Sequence, residues 1–422
     1  MNTQGIALAA DSAVTVNTSE NISKVYNTAN KLFMLSKHAP VGIMIFGNSQ
    51  LTNVPWETIV KAFRRELGTS RLDTVFDYSE ALIKFIQTEV SLFPPTFQEQ
   101  DILGHSISFC RLLISQIEKD IEAQIQSVGS IDETTIKKYI RLHITNTRTS
   151  LSKGGDLPEM NDQFLGTLRQ HFRKSIDTGI DISFEKYPLT KYDKDRLRTL
   201  LVLALKKKDI FPYSSSGIVI AGFGEKEYFP SLRALELHGV WLKHVRMKIT
   251  TEQTIGIDNL ASIVPFAQRE MISLFMEGIH PQYREILQKA LETFMLGIPE
   301  AIKPSLKVST PEFQRFDTHF KNKMQKIMED FMKTLQQFSH ESHVSPIIST
   351  VSILPKDELA SMAEALVNLT SFKRRVTLDQ ETVGGPIDVA VISKGDGFVW
   401  IKRKHYFDAS LNPQFFRTYE ER

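Results

Sequence analysis

The side chains best able to do chemistry in this chain are few and scattered. A single cysteine, Cys110, stands among 422 residues, so no intramolecular disulfide can form, and its apolar-rich surroundings read as core and not as a reactive thiol. The eleven histidines show no His-x-x-x-His or His-Glu pairing at metal-ligand spacing. His340 and His343 lie beside a Ser-rich loop with no cysteine near them, so a zinc site is not expected. Lys206-Lys207-Lys208 is a sharp basic cluster, but it closes a helical stretch, where cations complement the helix dipole. Gly222-Phe223-Gly224 is too short to cradle a phosphate and follows the wrong element. Asp11 and Gly47 each end an apolar run. A carboxylate in that position bonds nearby backbone N–H groups, and a glycine there supplies the positive φ of a turn.

Composition narrows the partners. Lys plus Arg total 51 against 49 for Asp plus Glu, a net charge of +2, which supplies no strong field for nucleic acid or anionic lipid. Hydrophobic residues make up 41% and charged residues 24%, the balance of an ordinary globular protein with ample core. No run of about 18 apolar residues occurs, and Met1-Asn2-Thr3-Gln4 opens no leader of basic and then apolar character. Together with the lone cysteine, this leads to the expectation of a cytoplasmic protein with no membrane contact.

The elements that must position these residues have two textures. Short apolar runs bounded by Gly, Asn and Ser predict buried strands over Ile6 to Ala10, Leu32 to Leu35, Val41 to Phe46, Gly217 to Phe223, Ile387 to Ile392 and Phe398 to Ile401. The last two are joined by Lys394-Gly395-Asp396-Gly397, a hairpin turn in which Asp-Gly provides positive φ. Helical spacing runs through Trp56 to Leu67, Phe76 to Val90 and Ile107 to Ile125, with breaks at Pro94-Pro95, Lys153-Gly154-Gly155 and Ser214-Ser215-Ser216. A long helix is predicted from Leu260 through Ile263, Val264, Ala267, Met271, Leu274 and Phe275 to Gly278. Another spans Phe313 to Phe338, and a third begins near Pro355 with Asp357 and Glu358 in its first turn and Leu359, Met362, Ala363 and Leu366 as its apolar stripe. Strands, then helices, then a closing hairpin predict an α+β protein and not alternating βαβ units.

Several of these segments resemble the proteasome β-subunit-like family of N-terminal-nucleophile hydrolases, in the family's own order. Gly5-Ile6-Ala7-Leu8-Ala9-Ala10-Asp11-Ser12 is similar to its second strand. Asn30-Lys31-Leu32-Phe33-Met34-Leu35 and Ile43-Met44-Ile45-Phe46-Gly47-Asn48-Ser49 are similar to the next strand and to the strand and glycine turn after it. Gly217 to Gly224 resembles the central strand with its Ala-Gly-Phe turn, and Val383-Gly384-Gly385-Pro386-Ile387-Asp388-Val389 with Asp396-Gly397 resembles the closing hairpin. The resemblance implies a four-layer α/β/β/α sandwich, here formed by residues 1–54, 211–279 and 346–405. Helical insertions would occupy 55–210 and 280–345, and a C-terminal tail 406–422. It further implies a threonine-type peptidase that hydrolyses peptide bonds in peptides or unfolded proteins, needs no metal or cofactor, and assembles as a homo-oligomeric ring.

In such a site the nucleophile's own α-amino group, with a reference pKa near 7.7–8.0, acts as general base. A lysine raises the local potential and orients the hydroxyl, a carboxylate fixes the lysine, and a backbone N–H at a glycine turn stabilises the oxyanion. Carried over by position, Lys31 is the lysine, Asp11 its carboxylate and Gly47 the oxyanion donor, with Lys24 a rival for the lysine role. Departures are visible as well. Ala13 replaces an arginine, Val383 and Gln380 replace a serine and an aspartate, and Asp379 and Glu381 flank the latter. Asp11 has ten residues before it, fewer than the family places between the nucleophile and this aspartate, and Thr3 is too close to the strand to replace that nucleophile. The resemblance therefore implies that the nucleophile strand lies upstream of Met1 and that the chain as given is inactive. The alternative is a non-catalytic assembly or regulatory protein on the same fold.

Overall fold

The computed structural model describes residues 1–17, 23–26, 29–208, 215–267, 269–305, 309–376, 384–405, 407–414 and 417. Its elements run β1 (Ile6–Ala10), β2 (Val14–Asn17), β3 (Ser23–Tyr26), β4 (Leu32–Met34), β5 (Val41–Gly47), β6 (Gln50–Leu51) and β7 (Val54–Pro55). Helices α1 (Trp56–Leu67), α2 (Val75–Thr88), α3 (Pro95–Val128), α4 (Glu133–Lys153), α5 (Asp162–His171), α6 (Arg173–Ser183) and α7 (Lys191–Lys206) follow. Then come β8 (Ser216–Gly222), β9 (Ser231–Trp241), β10 (His244–Thr254), α8 (Glu270–Glu277), α9 (Pro281–Ile302), α10 (Thr310–Ser339), α11 (Ser345–Ile353), α12 (Lys356–Val376), β11 (Asp388–Ser393) and β12 (Gly397–Lys402). The class is the expected mixture of helices and antiparallel sheets. Contacts divide the chain into a first unit, Met1–Thr28, Thr254–Ser393 and Val399–Arg422, and a second, Ala29–Gln253 with Lys394–Phe398.

The second unit is built on a five-stranded sheet in the order β10-β9-β8-β5-β4. β8 is buried at every position, as its uninterrupted apolar run requires of a central strand. On α1, Ile59, Val60, Phe63 and Leu67 are buried at helical spacing, and α2 starts at a capping box in which Thr74 and Asp77 satisfy each other's backbone N–H. Both helices bury their apolar faces in one cluster with Val41, Ile43, Ile218 and Ile220 of the sheet. A separate core gathers α3 to α7 around Leu113, Ile144, Leu168, Leu201 and Trp241, with α7 started by a second capping box from Thr190 and Asp193.

The hairpin β9–β10 was not predicted. Its two-residue turn is Leu242-Lys243, at φ 51° and 67°, so residues with no turn preference adopt the positive φ that Asn-Gly would signal. Thr52 and Asn53 also take positive φ, at 46° and 63°, between β6 and β7.

The first unit holds a three-stranded antiparallel sheet in the order β1-β11-β12. α12 covers it through Ala360 packed on Val389 and Val391. The closing hairpin and the helix after Pro355 stand where the apolar runs placed them. The helix predicted from Leu260 does not: α8 begins only at Glu270. Ala261 forms a backbone bridge with Asn2, Ser262 and Met1 exchange two hydrogen bonds of 2.9 Å, Pro265 has no N–H to give, and Ala267 adopts φ 64°. Extended tertiary pairing thus overrides a helical pattern over 260–267.

Candidate functional site

β1 ends at Ala10, whose Cα partner in the antiparallel register is Asp388 of β11. The chain then leaves the sheet, and Asp11 Oδ2 accepts hydrogen bonds from the backbone N–H groups of Ala13 and Gly384, both at 3.1 Å. The Ser12 N–H donates to Gly384 O at 3.2 Å, and Ser12 Oγ donates to Pro386 O. Two motif segments 373 residues apart, Ala-Ala-Asp-Ser and Gly-Gly-Pro, are therefore bonded into one corner of the first unit. Of the segment preceding that corner, Asp379, Gln380, Glu381 and Val383 lie outside the described residues.

At the same end of the sheet a pair that sequence reasoning missed is present. Asp388, 3% exposed, accepts from the Lys404 N–H at 2.8 Å and from Lys404 Nζ at 2.6 Å. A carboxylate at the head of an otherwise apolar strand was the available signal, since burial of such a group demands a cationic or N–H partner. Thr3 lies within a tight turn in which Asn2 and Gly5 exchange two backbone hydrogen bonds. The Asn2 amide is bound to Val351 O and Leu354 O, each at 2.9 Å. The nitrogen of Thr3 is a peptide nitrogen, not the free amine that an N-terminal nucleophile uses.

Lys31 and Gly47 belong to the second unit. Lys31 stands one residue before β4, and its carbonyl accepts the Ile45 N–H at 2.7 Å. Gly47 ends β5, the neighbouring strand, two residues beyond Ile45. The structure thus brings Lys31 and Gly47 to one end of one sheet, whereas Asp11 belongs to the other unit together with the β3 residue Lys24.

Gly47 has φ +73°, and a Cβ there would sit 2.5 Å from Ser215 O, so glycine is required for both conformation and space. Beyond it the turn is fixed by Asn48 N–H to Ser215 O at 3.0 Å, by Ser216 Oγ to Asn48 O at 2.7 Å, and by Trp56 Nε1 donating to Ser216 Oγ.

Cys110 is buried and unpaired, and burial pushes its thiol up to about 12, so it supplies no thiolate near neutrality. Lys206 and Lys207 are ion-paired with Asp156, and Lys206 also with Asp162. Gly224 lies against the Asp73 backbone, and its N–H donates to Glu227 Oε2 at 2.7 Å. Among the described residues no group of three potential metal ligands occurs, and no described helix is long and apolar enough to cross a membrane.

The strongest electrostatic perturbations lie elsewhere in the second unit. Asp101 Oδ2 accepts from Trp241 Nε1 at 2.8 Å and from Thr52 Oγ1 at 3.3 Å, and burial raises its carboxyl to about 7. Burial lowers the imidazoles of His105 and His238 to about 3. His105 Nε2 stands 3.0 Å from His238 O, and the Arg246 guanidinium donates to Leu205 O and Lys207 O at the end of α7. This network ties α3 and α7 to β9 and β10.

Comparison with protein-family models, curated proteins and solved structures found no match for this chain.

Proposed function

We propose that this chain is a proteasome-like N-terminal-nucleophile hydrolase scaffold that acts on peptide amide bonds. In this reading the chain adopts the four-layer α/β/β/α sandwich that the resemblance implies. The observation that carries it is the corner at Asp11. The Ala-Ala-Asp-Ser and Gly-Gly-Pro segments, singled out separately for their likeness to one family, are hydrogen-bonded to each other. Lys31 and Gly47 on neighbouring strands give further support.

The chemistry follows from the parts. The hydroxyl or thiol of an N-terminal Thr, Ser or Cys attacks the amide carbon, its α-amine accepts the proton and passes it to the leaving amine, and water then hydrolyses the acyl ester or thioester. Lys31 holds the amine neutral and orients the nucleophile, and the Gly47 N–H receives the oxyanion. The reaction needs no metal or cofactor.

A second reading, a non-catalytic assembly protein, draws support from Asp11 itself, whose Oδ2 already accepts two backbone N–H groups as a turn residue does. One experiment separates the two: N-terminal sequencing and intact-mass measurement of the protein from its native source, followed by a fluorogenic peptide assay. The hydrolase reading expects a free N-terminal Thr, Ser or Cys, and a loss of about 10²–10⁴ in kcat for Lys31→Ala. A native chain without such a residue and without peptide hydrolysis leaves the assembly reading.

A further inference from the structure

In the first unit, α9 and α10 pack against each other as a helical hairpin joined by a seven-residue link. Their less exposed positions, among them Leu287 and Leu291 on α9 and Met324 and Met328 on α10, form the seam between them. Beside that seam large apolar side chains remain in solvent. Tyr283, Ile286 and Phe294 of α9 are 62%, 65% and 71% exposed, and Phe316, Phe331 and Phe338 of α10 are 39%, 45% and 62% exposed. At 3.6 residues per turn each set lies on one side of its helix, rotated in the same sense from the seam. In an antiparallel pair that rotation puts both sets on one face of the hairpin. Ala290 and Gly297 share this side of α9, leaving room for a helix to approach.

We propose that this face is a homodimer interface on which the same hairpin of a second copy packs to form a four-helix bundle. The inference is independent of the hydrolase reading. Its first support is area. Taking about 200 Å² for each fully exposed side chain of this size, the six residues present about 700 Å² per protomer. That exceeds what a monomer usually leaves bare and approaches the roughly 800 Å² per partner of a stable complex.

The second support is pattern. Apolar residues of α10 recur at 313, 316, 320, 324, 327, 331, 335 and 338, a 3-4-4 spacing of eleven-residue period that keeps the stripe nearly straight along the helix. Of these, Phe316, Ile327, Phe331, Leu335 and Phe338 are exposed, on both sides of the midpoint of the stripe, so an antiparallel copy meets apolar side chains toward both ends, as an isologous two-fold contact requires.

Charge argues against a lipid surface as the occupant. Over 310–339 five Lys or Arg face four Asp or Glu, not the cationic polar face of a membrane-surface helix.

The test is sedimentation of the full chain across a concentration series, wild type against Phe294→Glu combined with Phe331→Glu. The wild type is expected at twice the monomer mass and the double variant at monomer mass, with unchanged far-UV circular dichroism. Ile327→Cys, near the midpoint of the stripe, adds an accessible thiol to a chain whose own Cys110 is buried. Under mild oxidation it is expected to give a cross-linked dimer whose yield falls when Phe294→Glu is added. A wild type that stays monomeric throughout overturns the proposal, and co-flotation of that monomer with phosphatidylserine vesicles would assign the face to lipid. A dimer that survives the double substitution overturns it equally.

Discussion

Asp11 accepts two backbone N–H groups through one oxygen, so its removal has a structural cost separate from any role in a reaction. Asp11→Ala leaves the N–H groups of Ala13 and Gly384 without their acceptor and is expected to destabilise the protein by about 1–3 kcal/mol in urea unfolding. Asp11→Asn keeps an acceptor oxygen and is expected to cost less. Comparing the two in the peptide assay therefore isolates the carboxylate's charge. Gly47→Ala must hold an L residue at φ +73° with its Cβ against Ser215 O, for an expected loss of about 1–3 kcal/mol by the same measurement. Both positions were readable because each ends an apolar run where the chain has to turn. The Asp388–Lys404 pair was not, because its partners are 16 residues apart and meet only once the intervening hairpin has formed.

At the scale of elements, the strands that could be read were those buried strongly enough to be written as continuous apolar runs, such as β5 and β8. β9 and β10 carry Arg233, Glu236, His238, Arg246 and Lys248 among their apolar residues, and their turn has no Gly or Asn. Tertiary contacts hold that turn: Leu242 packs beside the helical core, and its N–H donates to Gln98 Oε1 at 2.9 Å. Lys243, exposed at φ 67°, bears left-handed strain that glycine would not. Lys243→Gly is accordingly expected to stabilise the protein by about 1 kcal/mol, seen as a higher melting temperature. The opposite kind of misreading occurred at 260–267, where a helical pattern yielded to backbone bridging with Met1 and Asn2.

For the molecule as a whole, the buried network around Asp101 sets how stability varies with pH. Asp101 titrates near 7 in the fold against an ordinary 3.8, so the native state keeps a proton that the unfolded chain has released. Its contribution is complete below the ordinary value and is lost as pH rises through 7. His105 and His238 behave inversely, being held near 3 against 6.5. Their contributions are complete above 6.5 and are lost as pH falls toward 3. Between 3.8 and 6.5 two histidines outweigh one aspartate and stability climbs with pH, while above 6.5 the loss at the aspartate is opposed by the Met1 amine, which burial holds near 6 against an ordinary 8.0. Urea unfolding across pH is expected to show stability rising from 3.8 to 6.5, and Asp101→Asn is expected to steepen that rise. A wild-type profile that falls over that range would contradict this account.

The division of the chain also orders events in time. All of the second unit except Lys394–Phe398 is one continuous stretch, Ala29–Gln253, and can collapse while the rest is still being synthesised. β1 leaves the ribosome before any of it, yet its hydrogen-bonding partner is β11, at Asp388–Ser393. At about 5–20 residues per second of translation, the first strand waits roughly 20 to 80 seconds for its mate. For that interval Ile6, Leu8 and Ala10 are apolar side chains on a strand without its β11 partner, the species that chaperones bind and that aggregates recruit.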